Sequence, residues 1–175
     1  MGRFKNKLKI GTAALVVVVA LPAFAVDLTA ETVLIKKLQN VLARLPENDP
    51  SRKDMVLRLA DLHAERARLL SVNELEKGCT ECNAGTEDRQ QAIGLYEKIL
   101  RTNDGADKGA VYTQLRHLYE MVGEKSKAIT AYGYILKNSQ DPVAIGEAHL
   151  SMGEIYFRQG DFRNAIPHYE KVMAN

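Results

Sequence analysis

A spacing that recurs along the second half of the chain constrains its fold more than any other feature. Ala92, Ala128 and Ala165 each open an Ala-Ile pair and are followed four residues later by Tyr96, Tyr132 and Tyr169. Each segment then ends in paired apolar residues, Ile99-Leu100, Ile135-Leu136 and Val172-Met173. The openings lie 36 and 37 residues apart (128 − 92 and 165 − 128). Periods of this size belong to stacked supersecondary units that cannot bury an apolar face without a neighbour. The match extends upstream, because Tyr119, Gly123 and Ala128 share the spacing of Tyr156, Gly160 and Ala165. Leu115 and Met152 each stand four residues before those tyrosines.

This pattern predicts two antiparallel helices per repeat. Val111, Leu115, Leu118 and Val122 recur at helical spacing and define one buried face. Gly123 and Gly160 fall where the first helix must stop and the chain reverse, a place for the left-handed conformation that glycine adopts at little cost. Small Ala128 and Ala165 let the second helix approach the first. Asp141-Pro142 is a helix start, Asp as cap and Pro in the first turn, and Asp161 is placed to cap the last helix.

With these residues in register the chain resembles the tetratricopeptide repeat family, whose motif runs over about 34 residues. Residues 146–175 carry the resemblance through Met152-Gly153, Tyr156, Gly160, Ala165 and Tyr169. Residues 109–142 carry it through Tyr112, Leu115, Tyr119, Gly123, Ala128 and Tyr132, with Arg116 at a position usually held by a small residue. The resemblance implies an all-α solenoid of antiparallel helix pairs whose first helices line a concave groove. It places Thr113, His117, Glu120, Met121, Leu150, Glu154, Phe157 and Arg158 in that groove, a mixture suited to a helical or extended peptide. The Lys, Arg and Asn set with which some members grip a terminal carboxylate is missing. A solvated face is the competing reading of the same positions.

The first repeat is irregular. Its second helix is expected from about Glu87 to Arg101, with Thr86 as cap, and its first from Ser51 to Lys77. On that first helix Val56, Leu59, Ala60, His63, Ala67 and Leu70 form one stripe; Asp49-Pro50-Ser51 starts it and Gly78 stops it. Aligning Leu59 with Leu115 gives an offset of 56 residues, which implies a lengthened helix and an inserted loop around Cys79. An amphipathic helix from Glu31 to Leu45, with Leu34, Leu38, Val41 and Leu45 inward, precedes it. The organisation read from the sequence is therefore a leader at 1–25, an N-terminal helix at 26–50, and repeats at 51–104, 105–141 and 142–175. No closing helix is evident after the third, so an uncovered flank is expected around Ile155, Ile166 and Val172, open to a partner, to a second copy or to further repeats.

The leader has its own chemistry. Arg3, Lys5, Lys7 and Lys9 precede an apolar run from Ile10 to Leu21, then Pro22 and Ala23-Phe24-Ala25. This is the three-part layout of a secretory signal peptide cleaved after Ala25. The apolar run falls short of the roughly 20 residues that cross a bilayer as a helix, which favours a cleaved leader over the alternative, an uncleaved inner-membrane anchor. No Cys follows the cleavage site to take a lipid. The expectation is a periplasmic or otherwise exported protein. Of the 24 basic and 22 acidic residues the leader takes four basic, leaving 20 against 22, a balance of −2. A nearly neutral chain has no long-range field for phosphate backbones, which argues against nucleic acid as a partner.

Chemically reactive residues are few. Cys79-Thr80-Glu81-Cys82 in an exported chain is read first as a structural disulfide, with a metal site or thiol exchange as alternatives. Zinc would need about four ligands and no second Cys pair exists; covalent haem attachment would need His where Asn83 stands. His63 belongs to an apolar stripe, His149 to a core position, and His168 faces solvent or a neighbouring repeat. Glu87-Asp88 reads as favourable charge at a helix start. With no catalytic constellation, phosphate loop or dinucleotide fingerprint, no enzyme activity and no cofactor are expected. The sequence reads as a protein-interaction scaffold or adaptor of a bacterial cell-envelope assembly, peripheral to the membrane. Its rivals are a thiol-disulfide or metal-handling module using Cys79 and Cys82, and a self-associating structural subunit.

Overall fold

The structure, a computed structural model, describes residues 28–80, 82–102 and 108–174. The leader lies outside the described residues. Those described form seven helices and no strand: α1 Leu28–Arg44, α2 Arg52–Glu76, α3 Thr86–Arg101, α4 Lys108–Met121, α5 Lys125–Asn138, α6 Pro142–Arg158 and α7 Phe162–Met173. Each helix packs chiefly on the next along the chain. That one-dimensional order is the signature of a solenoid.

The repeated residues explain the packing. Ala92, Ala128 and Ala165 are buried where α3, α5 and α7 meet α2, α4 and α6, and no bulkier residue would allow the same approach. Tyr96 and Tyr132 are fully enclosed one turn on. A continuous core runs from Val56 and Ala60 through Leu115 and Tyr119 to Met152 and Ile155. Burial of each large side chain there contributes about 1.5–3 kcal/mol. Between α4 and α5 and between α6 and α7 the chain turns through Gly123 and Gly160, whose φ values of 79° and 74° are left-handed. Asp141 caps α6 by accepting from the Val143 amide at 3.0 Å, and Asp161 caps α7 by accepting from the Asn164 amide at 3.2 Å.

Several expectations are corrected. On α1 the inward face is Ile35, Leu38 and Leu42, which pack with Leu59 and Leu62; Leu34 and Val41 are exposed instead. Ile155 belongs to the core, so of the expected open flank Ile166 is exposed and Val172 half-buried. Thr86 does not cap α3. Gly85 does, at φ +82°, and its α-carbon lies so close to α2 that an added Cβ would meet the Ala67 carbonyl oxygen at 2.5 Å. The offset of the first repeat is taken up by α2, 25 residues against 14 in α4 and 17 in α6, and by the loop that carries the cysteines.

Candidate partner-binding groove

In each helix pair the tyrosine of the second helix reaches back to an acid on the first. Tyr96 donates to Asp61 Oδ1 at 2.6 Å and Tyr169 to Glu154 Oε1 at 3.1 Å, so the two acids are register equivalents. The equivalent residue in the middle pair is His117, which is not a carboxylate, and Tyr132 donates to Glu120 one turn further along α4. Burial and then the Glu120 bond push the Tyr132 hydroxyl up to about 12. The first pair is joined to the second by Glu97, which accepts from Tyr119 and from Lys127, both at 3.0 Å.

Position 116 shows how an exception to the motif is accommodated. Ala60 and Gly153 occupy it in the other pairs. A Cβ on Gly153 would come within 2.9 Å of the Tyr169 ring. In the middle pair Arg116 lays its guanidinium over Tyr132, 5.6 Å from the ring centroid, and bonds Glu147 at 2.8 Å. The arginine is therefore a packed, ion-paired clasp between α4 and α6.

A concavity of about 680 Å³ lies between α2 and α4 with α3 as its floor. Arg58, Asp61, Glu65, Arg68 and Ser71 come from α2, Arg89 and Tyr96 from α3, and Gln114, His117 and Met121 from α4. Of the residues expected in a groove, His117 and Met121 line this one. Met121 is 61% exposed; His117 is also exposed, its pKa lowered by burial of the ring and by neighbouring Arg116. Leu150 and Phe157 are exposed on α6, and the Phe157 ring meets Phe162 edge-on with centroids 5.3 Å apart. Glu120 and Glu154 are engaged by their tyrosines, and Arg158 lies 3.6 Å from Glu154. Thr113 is elsewhere: it lines a separate cavity of about 340 Å³ with Tyr134 and Asn138.

The α2 wall of charged residues was not singled out from the sequence. Its helix does not keep the spacing of the other repeats, so the resemblance could not be carried onto it residue by residue. The same gap hid an ionic cluster. Asp88, 4% exposed, accepts from His63 Nδ1 at 2.6 Å and from Arg66 Nε and Nη2 at 2.8 and 2.6 Å. Burial alone would raise the Asp88 pKa, but the bonds from Arg66 and His63 outweigh it and hold the carboxyl below its usual range. An ionised carboxylate only accepts, so the His63 Nδ1 carries the proton. Asp88 is thus a buried tie between α2 and α3 and not simply charge at a helix start. Two other histidines, distant in sequence, also meet: His149 Nδ1 lies 2.9 Å from His168 Nδ1, both half-buried between α6 and α7.

Cys79 and Cys82 are bonded to each other in the loop between α2 and α3, and neither lines the groove. With Glu74 they form the one cluster of three residues of metal-ligating type among the described residues. Sulfurs in a disulfide are not thiolate ligands, and the Glu74 carboxylate accepts from the Ala84 amide at 2.6 Å. No helix among the described residues is long and apolar enough to cross a membrane.

Against known proteins, residues 148–175 match the model of the tetratricopeptide repeat. The match takes in the later part of α6 and all of α7. The fold is similar to a structure described as the crystal structure of MamA, 17% identical, covering 87% of this chain and 94% of that one with a TM-score of 0.44. No curated protein matches the sequence.

Proposed function

We propose that the chain is an exported protein-interaction scaffold of a bacterial cell envelope, which holds a segment of a partner protein along the face formed by α2, α4 and α6. The observation that carries this reading is the groove of about 680 Å³, with exposed Met121 in its lining, together with the exposed Leu150 and Phe157 on α6. Large apolar side chains on the face of a rigid array that also offers a preformed groove suit a partner that supplies most of the ordering cost itself. The charged and apolar lining suits a peptide, and no catalytic role is assigned to it. Export rests on the sequence of the leader, and N-terminal sequencing of the secreted protein should begin at Val26.

The test is affinity capture by the mature chain from its native envelope, with light scattering of the purified protein. A captured partner should be lost on His117→Ala and Phe157→Ala and kept on Cys82→Ser. Capture that depends on Cys79 or Cys82 through a mixed disulfide would instead establish the thiol reading. Self-association without a partner would point to exposed Phe162, Ile166 and Met173 on α7 as the working surface.

A further inference from the structure

We propose that the α2–α3 end of this groove is an anion subsite, built on Arg89, that takes a carboxylate of an acidic partner segment. The inference rests on the scaffold reading and names the chemistry of the partner.

Four ionic side chains are buried among the described residues: His63, Asp88, Arg89 and Arg116. His63 and Asp88 belong to one ion cluster, and Arg116 is paired with Glu147. Arg89 alone among them has no ion pair with another described residue. It is 7% exposed, lines the groove, and donates only to hydroxyls, from Nη1 to Thr86 Oγ1 at 3.3 Å and from Nη2 to Ser71 Oγ. Hydroxyls satisfy single N–H groups but do not neutralise a guanidinium, and a charge removed from water is normally retained only where something offsets it. Ser71 is itself held against the Ala67 and Ala84 carbonyls, at 2.9 and 3.1 Å, which fixes where Arg89 points. The result is a positioned fork with donors to spare, suited to a planar carboxylate.

The surroundings do not cancel this charge. The groove carries Arg58, Arg68 and Arg89 against Asp61 and Glu65. Glu65 is paired with Arg68, through bonds at 3.0 and 2.7 Å, and Asp61 accepts from the Tyr96 hydroxyl, which leaves its charge in place; three cations against two acids keep one net positive charge in the lining. Arg58 is exposed at the rim and has no carboxylate partner among the described residues. Ala64, Val72, Leu118 and Met121 complete the lining, so a ligand presents apolar groups beside its anion. The near-neutral charge of the mature chain leaves this field local, which favours one carboxylate on a peptide over a phosphate polymer.

The experiment is selection of random peptides displayed on phage by the mature chain, from two libraries: one with free C-terminal carboxylates, the other with peptides embedded in a loop. Enriched sequences should share Asp or Glu, or a free chain end, flanked by apolar residues. The library that yields them identifies the carboxylate as side chain or terminus. Neutralising that carboxylate by Glu→Gln, Asp→Asn or amidation should weaken binding roughly ten- to hundred-fold, read by fluorescence anisotropy. On Arg89→Met the same neutralisation should have little further effect. If circular dichroism shows that Arg89→Met is unfolded, exposed Arg58→Gln replaces it and should halve or more the gap between acidic and neutralised peptides. Enriched peptides without acidic preference, or an equal loss on wild type and variant, overturn the subsite and leave the scaffold standing. No enrichment from either library overturns both.

Discussion

Removing the Asp88 carboxylate is the sharpest probe of how the first helix pair is held. Asp88→Ala deletes three bonds, two from Arg66 and one from His63, and leaves both donors behind. The His63 side chain is 5% exposed and cannot reach water without opening the α2–α3 contact, whereas Arg66 at 23% can turn partly outward. Breaking a buried pair on one side costs about 3–5 kcal/mol, and the freedom of Arg66 puts this case near the lower end, at about 3 kcal/mol. A loss of that size is a large share of the roughly 5–15 kcal/mol that holds a domain of this kind together. In urea it should move the unfolding midpoint down by about 1–3 M at an ordinary slope. Adjacent Glu87 is the control, because it is exposed and contributes only its charge at the helix start; Glu87→Ala should cost about 0.3–1 kcal/mol. An Arg66→Met, Asp88→Asn double-mutant cycle should then give about 1–3 kcal/mol of coupling. If Asp88→Ala and Glu87→Ala shift the midpoint equally, the buried tie is not what joins α2 to α3.

Acidification should destabilise α6–α7 well above the carboxylate range. Burial and Lys171 lower the His149 pKa, and burial and then His149 lower that of His168, so their contribution is complete above the unfolded value near 6.5 and is lost as pH falls through the lower folded values. Tm should therefore fall between pH 7.5 and 5.5, less so in His149→Gln, and a rise would refute the sign; the Asp88 contribution is lost separately, below about pH 4. Gly85→Ala should cost about 2–4 kcal/mol by chemical denaturation, since it adds a left-handed alanine and a clash with Ala67, while Gly78→Ala, with nothing within 4 Å, should cost only about 1–2 kcal/mol. His117→Glu restores an acid at the register position of Asp61 and Glu154; in its crystal structure Tyr132 should bond residue 117 and release Glu120 to solvent, and an unmoved Tyr132 would show that register does not choose its partner.

The elements that were legible in sequence are those whose residues recur. Ala128, Tyr132, Gly123 and their counterparts repeat because close helix approach, a filled gap and a left-handed stop are needed once per pair, so one chain displays the rule several times over. The α1 face was misread for the opposite reason. With a single helix and apolar residues at Leu34, Ile35, Leu38, Val41 and Leu42, two overlapping stripes satisfy the helical period, and only the position of Leu59 and Leu62 on α2 selects the one through Ile35. Arg116 and Asp88 were hidden in another way. Each is a charged residue whose burial depends on a partner far along the chain, Glu147 for one and His63 with Arg66 for the other, and local periodicity carries no information about such pairs.

The same contrast separates what builds the array from what its groove can hold. Residues that repeat are committed to packing, and the tyrosine-to-acid bond is among them, since it consumes Asp61 and Glu154 on the face that would otherwise be acidic. Where the repeat departs from its own rule, side chains are left for other work. His117 stands in the groove at the register of Asp61 but without a tyrosine bond, which Tyr132 makes to Glu120 instead. Arg89 lies at the groove floor because α2 runs long enough to bring Ser71 beneath it. A lengthened first helix therefore does more than shift the register of one repeat: it adds a charged wall to a surface that regular pairs, such as α6 and α7, present with Leu150 and Phe157. The array thus offers a charged groove wall on α2 and exposed apolar side chains on α6, and a segment that met both in one direction would not fit in reverse.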